Sequence, residues 1–322
     1  MNAINKYHTF IIAVAVGLGL LLGQIAGLKQ YAEYLIVPFL MVMLFGLFLN
    51  IPVKNLLSSF SNLKFISANL VINFIWTPII AYLLGLLLLK EHLSLWIGFV
   101  MLMVTPCTDW YLIFTGIAKG NTSLSAAVLP VNLILQLILL PVYLLLFFGK
   151  TGSVDAVILW ESILLVLLVP FLFAQLTKFW SSKRRKKTLM EQKILPFFET
   201  AQIIFLALAI VAMFTSQGEY LTNNLSVLYI LLVPILIFFI VNFLVSRFGS
   251  YVLKFNYEDS ASLSLTTLAR NSPISLAIAL TAFPNDPLIS LALVIGPLLE
   301  LPILALVSQV LLRIRNSSNN LS

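Results

Sequence analysis

Long apolar stretches alternate with short polar breaks along the chain, from near Phe10 to Leu312. About 20 apolar residues in helical form are enough to cross the hydrocarbon core of a bilayer. The breaks leave ten such stretches, at residues 8–27, 33–50, 65–89, 94–118, 122–148, 155–178, 197–215, 225–247, 260–283 and 287–312. The pattern predicts an all-α polytopic membrane protein with ten transmembrane helices.

The composition excludes a soluble enzyme. Of the 322 residues, 61% are hydrophobic and 10% are charged, whereas roughly a quarter of the residues of a soluble domain are charged. So few charges cannot cover a surface that faces water, so the lipid bilayer is the expected surrounding. The single cysteine cannot form an intramolecular disulfide, and two histidines cannot build a His/Cys metal cluster. We therefore expect no structural zinc, no haem and no other cofactor.

Lysine and arginine are concentrated on one side of the predicted membrane. An even number of spans places both termini on the same side, and that side carries 15 of the 19 basic residues. The other side carries three, Lys29, Lys90 and Lys150, while Arg270 lies inside the ninth span. Because cytoplasmic loops are enriched in basic residues, we expect a cell inner (plasma) membrane protein with cytoplasmic termini. Membrane orientation accounts for the uneven distribution of lysine and arginine, so we expect no nucleic-acid partner.

A basic run, SSKRRKK at residues 181–187, lies near the middle of the chain. We interpret it as a topology determinant rather than a lipid- or nucleic-acid-binding site. It separates residues 1–150, with spans one to five, from residues 151–322, with spans six to ten; residues 151–196 hold span six and the basic connection. Since five is odd, the second unit enters the membrane from the opposite side. This predicts two inverted five-helix repeats, as in many secondary transporters.

Spans four and nine each contain a polar interruption with a proline. Span four contains TPCTDW at residues 105–110, and span nine contains ARNSP at residues 269–273. Proline lacks a backbone donor and clashes with the carbonyl four residues earlier, so we expect Pro106 and Pro273 to open their helices. A proline kink with no function is the alternative for each. Two interruptions in corresponding spans, both beside polar side chains, favour a binding site.

Asp109, Arg270 and Glu300 are the ionisable residues nearest the centres of their spans. Such a side chain costs at least about 2.5 kcal/mol inside a membrane and needs a partner or a wet cavity. We therefore expect the three to share one site. The alternative is a fixed ion pair of Arg270 with Asp109 or Glu300 that only holds helices together. If Arg270 neutralises one carboxylate, the other, Glu300 above all, can carry a proton or coordinate a cation as the site alternates.

Further candidates for substrate binding lie on the same spans. Cys107 is a soft ligand when ionised, although a lone cysteine in a helix is usually a small core residue. Hydroxyls and amides add neutral donors and acceptors, although they also connect helices. These neutral candidates are Thr105, Thr108, Asn132, Gln136, Asn271 and Ser272.

Two segments of the chain resemble the bile acid/arsenite transporter superfamily, and in particular its arsenite-efflux branch. They are TPCTDWYLIFTGIAKGN at residues 105–121 and VIGPLLELP at residues 294–302. In the arsenite branch a PCT tripeptide precedes a KGN turn at this spacing, and a GPLxExP segment follows in the last span. The ten-span, two-repeat layout extends the resemblance over nearly the whole chain.

The resemblance implies a core domain of spans three to five and eight to ten, and a panel domain of spans one, two, six and seven. The broken spans four and nine would cross near the midplane, with substrate bound between core and panel. By position, Cys107 is similar to the arsenite-relevant cysteine and Glu300 to the carboxylate of span ten.

The chain also departs from the family pattern. Asp109 follows the PCT where the arsenite branch usually has a small or apolar residue, and Arg270 stands where that branch is uncharged. The two changes would compensate each other across the crossing. The sodium-coupled bile acid branch has a serine and a threonine four residues apart in span five, whereas Ser125 is followed here by Leu129. The lost hydroxyl weakens a site for a hard cation and favours proton coupling.

These observations lead to one main hypothesis and several rivals. The main hypothesis is efflux of arsenite or a related metalloid oxyanion by proton antiport with alternating access. The alternative is a sodium- or proton-coupled organic-anion symporter, which Arg270 would favour. An intramembrane aspartyl hydrolase would need Asp109 and Glu300 as a dyad, and the chain has no GxGD-like motif. A membrane sensor would bind ligand without moving it.

Overall fold

The structure, a computed structural model, describes six ranges of the chain: residues 8–25, 27–50, 62–108, 110–181, 190–223 and 226–319. Its helices are α1 His8–Leu22, α2 Leu28–Asn50, α3 Leu63–Leu88, α4 Leu93–Met103, α5 Trp110–Ile117, α6 Thr122–Phe148, α7 Ala156–Ser181, α8 Leu195–Asn223, α9 Ser226–Val252, α10 Tyr257–Leu268, α11 Ser272–Ala282 and α12 Pro287–Asn319. Of the basic run, residues 182–187 lie outside the described ranges.

The predicted all-helical architecture is confirmed for the described residues, whose one β feature is an isolated bridge between two residues. Seven helices in these ranges are long and apolar enough to cross a membrane, so the chain is a multi-pass membrane protein. The predicted spans at 94–118 and 260–283 are each made of two short helices, α4 with α5 and α10 with α11. The total of ten spans and the inverted repeat stay predictions.

One compact unit comprises the described residues of Met1–Ile51, Asp155–Val227 and Pro273–Val294. Within it, α8 packs against both α1 and α2. A Cβ atom on Gly19 of α1 would lie 2.6 Å from the Cβ atom of Phe214 and 2.7 Å from the carbonyl oxygen of Val211. Small residues let membrane helices approach closely, and here the approach of α1 to α8 requires a glycine.

The second compact unit comprises the described residues of Pro52–Val154, Leu228–Ser272 and Ile295–Ser322. One of its turns joins α5 to α6 at the KGN tripeptide, where Lys119 has a φ of 54°. The Asn121 side chain caps α6 by accepting a hydrogen bond from the amide of Leu124 at 3.1 Å, and its Nδ2 donates to Asp259 of α10 at 2.9 Å. The turn therefore attaches the start of α6 to α10. The predicted division into core and panel stays a prediction.

Helix α3 changes to a π-helical turn at Ile72–Trp76. Four residues after Phe74, Pro78 has no amide hydrogen to offer to the Phe74 carbonyl. The hydroxyl of Tyr143 on α6 donates to that carbonyl at 2.6 Å instead. The irregular turn carries the buried Asn73, which contributes to the site described below.

Helix α10 is rich in buried hydroxyls that are satisfied inside the protein. Ser264, Thr266 and Thr267 each donate to the carbonyl four residues earlier, at 3.0, 2.8 and 2.7 Å. Serine and threonine can be buried in a membrane helix because they bond back to the backbone in this way. The hydroxyl of Thr266 also accepts from Asn69 of α3 at 3.0 Å. Helix α10 thus brings a polar face into the second unit.

Candidate functional site

The first interruption follows α4, which ends at Met103 before helix resumes in α5 at Trp110. Pro106 cannot donate to the carbonyl of Leu102, four residues earlier. The Thr105 hydroxyl lies 3.1 Å from that oxygen and 2.9 Å from the carbonyl oxygen of Met101, and donates to both. A side chain thus replaces the donor that the proline removes, so the helix can end inside the protein.

The second interruption follows α10, whose C-cap residue Ala269 is extended with φ −68° and ψ 138°. Pro273 lies in the first turn of α11, where proline is tolerated. The carbonyl of Ala269 lies in the extended chain between α10 and α11, so no helical amide donates to it. The main-chain amide of Cys107 donates to that carbonyl at 2.9 Å. The first interruption thus supplies the donor that the second one lacks.

The two interruptions pair with each other as antiparallel extended chain. Pro106 and Arg270 form the bridge. On either side of it, Cys107 donates to Ala269 at 2.9 Å and the amide of Asn271 donates to the carbonyl of Thr105 at 2.7 Å. Unwound backbone within a membrane protein has to be satisfied internally, and this pairing satisfies both interruptions at once.

The polar side chains of the pairing are buried. Cys107 is 1% exposed, and Thr108, Asn271 and Ser272 are buried as well. The amide Nδ2 of Asn271 donates to the hydroxyl of Thr108 at 3.3 Å, which connects the two interruptions through their side chains. The arrangement is a compact set of a thiol, hydroxyls and an amide away from solvent.

The guanidinium of Arg270 donates to main-chain carbonyls and to one amide side chain. Its Nε donates to Leu268 at 3.0 Å, its Nη1 to Met103 at 2.8 Å, and its Nη2 to Thr267 and to Oδ1 of Asn73, the latter at 3.3 Å. Four of the five N–H groups of the arginine side chain are thereby engaged. The residue is 1% exposed, so these hydrogen bonds lie in the interior.

Glu300 of α12 meets Arg270 at its main chain. The Oε1 atom accepts a hydrogen bond from the amide of Arg270 at 2.7 Å, and Glu300 is 3% exposed. Helix α12 comes close to α4 at Gly296, where an added Cβ would lie 2.7 Å from a methyl group of Leu102. The GPLxExP segment therefore places a carboxylate directly on the paired interruptions.

Asn132 and Gln136 lie one turn apart on α6, between Pro130 and Pro141. The two residues are 0% and 1% exposed, respectively. The amide oxygen and nitrogen of both side chains have no hydrogen-bond partner in the described part of the chain. A buried polar group without a partner costs about 1–3 kcal/mol. Four such groups on two adjacent turns indicate a place where a polar ligand or water is received.

Comparison with known proteins identifies the family of this chain. A family model described as the Sodium Bile acid symporter family matches residues 37–224, more than half of the 322 residues. The chain belongs to this family. A member of the Sodium Bile acid symporter family is a membrane transporter, which agrees with the apolar helices found here.

The chain is also similar to arsenical-resistance proteins, and this similarity covers nearly its full length. It is 23% identical over 327 residues to Acr3 of Corynebacterium glutamicum, covering 94% of this chain and 87% of that protein. It is 22% identical over 341 residues to Acr3 of Alkaliphilus metalliredigens, covering 97% and 93%. An uncharacterized transporter of Synechocystis is 22% identical over 342 residues, covering 96% and 88%. The predicted membership and the resemblance to the arsenite branch are confirmed.

In this symporter-family chain, the predicted site residues fall into three groups. Six of them each make a hydrogen bond to a residue of the paired interruptions, and Ser272 follows directly in the chain. Asn132 and Gln136 lie on α6, and within the described residues their side chains make no hydrogen bond to that group. Asp109 lies outside the described residues. The connected residues are Thr105, Cys107, Thr108, Arg270, Asn271 and Glu300. Their roles in binding substrate stay predictions.

Three residues of the site were not predicted from the sequence. Asn73 accepts from Arg270, Asn69 lies 3.4 Å from the Nδ2 of Asn73, and the Phe238 ring centroid lies 5.2 Å from the Arg270 guanidinium carbon. Two asparagines four residues apart inside an apolar span were a usable signal, because polar residues there need partners. Nothing in the local sequence distinguishes Phe238 from the other phenylalanines.

Proposed function

We propose that this protein exports trivalent arsenite or a related metalloid oxyanion by alternating access, in exchange for protons. The observation that carries the proposal is the joining of a thiol residue and a carboxylate at one pairing. Cys107 donates its amide to Ala269, and Glu300 accepts from the amide of the next residue, Arg270. The residue with a soft ligand for As(III) and the residue with a proton-carrying group are thus hydrogen-bonded to two adjacent main-chain positions, Ala269 and Arg270.

Cys107 is the residue that we propose to recognise As(III). Thiolate sulfur is a soft ligand, and this is the single cysteine of the chain. One As–S bond forms while one arsenic hydroxyl leaves as water and takes the thiol proton. Release reverses this exchange, because water returns the hydroxyl to arsenic and the proton to sulfur. The neighbouring hydroxyl and amide of Thr108 and Asn271, and the side chains of Thr105 and Ser272, line the binding position.

Glu300 is the group that we propose to carry the coupled proton, with Asp109 as the second candidate. A carboxylate with 3% exposure can change protonation only when the transporter opens it to one side of the membrane. Binding of a proton from outside and its release inside would accompany export of the substrate. The sequence of α6 favours a proton over sodium, because Leu129 stands one turn after Ser125, where the sodium-coupled branch has a second hydroxyl.

The names of two relatives support the arsenite assignment, since both proteins are described as arsenical-resistance proteins. The proposal further places the transporter in the cell inner membrane, with cytoplasmic termini, ten spans and two inverted repeats. Substrate would bind between a core of spans three to five and eight to ten and a panel of spans one, two, six and seven.

A second candidate, an organic-anion symporter, is favoured by the family to which the chain belongs. Arg270 would be the natural partner of a carboxylate or sulfonate. Its guanidinium, however, donates to the carbonyls of Leu268, Met103 and Thr267 and to Asn73. Because these hydrogen bonds already engage the guanidinium, they argue against Arg270 as the binding site of an anionic substrate.

Flux in reconstituted vesicles tests the two candidates against each other. We expect As(III) transport that is driven by an imposed proton gradient and is indifferent to a sodium gradient. Small carboxylates and sulfonates should neither be transported nor compete. Transport of such an anion without As(III) flux would replace the first candidate by the second.

Two variants test the role of the thiol. Cys107→Ala removes the side-chain ligand, whereas Cys107→Ser keeps a small polar group and removes only the soft one. Both are expected to abolish As(III) flux at matched expression. If either variant transports As(III) as well as the parent protein, sulfur is not the ligand.

A further inference from the structure

The guanidinium of Arg270 lies where two half-helices end. Met103 is the last residue of α4, and Leu268 is the last residue of α10. The last carbonyls of a helix have no partner within it and carry the negative end of its dipole. Arg270 donates to Met103 at 2.8 Å, to Leu268 at 3.0 Å and to Thr267. Both helix ends therefore direct their carbonyl oxygens at one positive charge.

Side chains complete the surroundings of this charge. Oδ1 of Asn73 lies 3.3 Å from Nη2 of Arg270. The orientation of Asn73 is set by its Nδ2, which donates to Oδ1 of Asn69 at 3.4 Å and to the carbonyl of Thr266 at 3.3 Å. The ring of Phe238 covers the guanidinium at 5.2 Å, and aromatic faces attract cations. Oxygen atoms and a π-face surround the group, with Arg270 itself 1% exposed.

Such a shell has the chemistry of a cation site. Carbonyl and amide oxygens are the ligands that hard cations take, and half-helix C-termini with unwound carbonyls hold the coupling ion in many secondary transporters. An arginine that received an anion would instead direct its donors into a cavity. Glu300 accepts a hydrogen bond from the main-chain amide of Arg270 at 2.7 Å. The guanidinium of the same residue donates to main-chain carbonyls, as a bound cation would contact them.

We propose that the Arg270 side chain is a tethered cation, which permanently occupies a monovalent-cation position at the crossing of the two interrupted spans. The transporter then needs no bound sodium at this position, because the protein supplies the charge itself. Arg270 is a positioning residue: it holds the ends of α4 and α10 together and contacts no substrate. The inference goes beyond the proposed function and holds whichever solute is transported.

The parent protein provides the first test. Its apparent melting temperature in detergent should be the same in sodium chloride and in choline chloride at equal ionic strength. Its flux in vesicles should persist when sodium is replaced by choline on both sides. A saturable stabilisation of the parent by sodium, or loss of flux without sodium, overturns the proposal. The melting measurement does not depend on substrate, so failure of the arsenite assignment leaves it interpretable.

Removing the side chain provides the second test. Arg270→Ala leaves the oxygen shell without its cation, so the variant should melt well below the parent in choline chloride. Sodium chloride, or guanidinium chloride at low millimolar concentration, should raise its melting temperature saturably by several degrees, since a ligand that binds the folded state stabilises it. Arg270→Gln, which keeps most of the volume without the charge, should respond to sodium in the same way if the alanine variant does not fold.

Arg247→Ala is the matched control, because Arg247 donates to Ser260 at the other end of α10 at 2.6 Å. Its removal should produce no response specific to sodium or guanidinium. Variants of Arg270 that respond to these cations no more than the parent and the Arg247 variant would refute the tethered cation.

Discussion

Glu300 and Arg270 meet through a main-chain amide: Oε1 of Glu300 accepts from the backbone N–H of Arg270 at 2.7 Å, while the Arg270 guanidinium donates to carbonyls. The acid is therefore positioned by the backbone of the second interruption. Any change in the pairing of the two interruptions also moves this carboxylate. In the proposed transport cycle, substrate bound at the pairing could therefore act on the proton-carrying group through a few hydrogen bonds.

The variant Glu300→Gln distinguishes the hydrogen bond that Glu300 accepts from its ability to exchange a proton. Glutamine keeps an oxygen that accepts from the Arg270 amide, so the melting temperature should stay close to that of the parent protein. The side chain can no longer exchange a proton, so flux driven by a pH gradient should fall at least about a hundredfold, the lower end of the range typical of losing a proton-transfer group. Glu300→Ala, which also loses the hydrogen bond, should lower both flux and melting temperature. Parental pH-driven flux in the glutamine variant would remove Glu300 from coupling.

Asn132→Leu should make the protein more stable and less active. The amide atoms of Asn132 have no partner in the described residues, so an apolar side chain of similar volume removes an uncompensated cost of about 1–3 kcal/mol. If the amide serves the substrate, flux falls in the same variant. The two measurements are thermal unfolding in detergent and vesicle flux, and Gln136→Leu should behave alike.

Ile134→Leu is the control for this pair, since Ile134 lies on the exposed side of α6 and should change neither measurement. Asn132→Leu with a lowered melting temperature would mean that the amide has a structural partner. Unchanged flux would mean that it has no role in transport.

Thr105→Val should destabilise the end of α4. Valine has the shape of threonine but cannot donate to the carbonyls of Met101 and Leu102, which the hydroxyl reaches at 2.9 and 3.1 Å. We expect a loss of about 1–3 kcal/mol for the two buried carbonyls, read as a lower melting temperature. Thr105→Ser, which keeps the hydroxyl, should be close to the parent. Equal melting temperatures for the valine and serine variants would contradict this account of the interruption.

Gly19→Ala should weaken the packing of α1 on α8. The new Cβ would lie 2.6 Å from the Cβ of Phe214 and 2.7 Å from a backbone oxygen, so the helices must move apart at a cost of about 1–3 kcal/mol. Gly17, also on α1, has nothing within 4 Å of an added Cβ. Gly17→Ala should be neutral or slightly stabilising, because alanine favours helix. The pair is compared by thermal unfolding, and equal effects would disprove the close approach.

Much of the site could be named from local sequence. Prolines inside apolar spans mark interruptions because they lack an amide hydrogen, and intramembrane charges stand out because they are costly. Arg270 and Glu300 were found in this way, and Cys107 was found as a soft ligand beside Pro106. In the structure Cys107 donates to Ala269, and the amide of the next residue, Arg270, donates to Glu300. Asn73 was not found, although its spacing from Asn69 was a usable signal. Phe238 could not be found from local sequence, since its importance comes from its contact with Arg270.

Local sequence is sufficient to predict a membrane-embedded helical protein with interrupted helices, because hydrophobicity, proline chemistry and the cost of buried charge act over a few residues. The pairing of the two interruptions depends on the tertiary structure. Thr105 and Asn271, 166 positions apart, pair through backbone groups that every residue possesses and that no sequence pattern distinguishes. At the same pairing the Arg270 guanidinium donates to the carbonyls of Leu268 and Met103, and the Arg270 amide donates to Glu300.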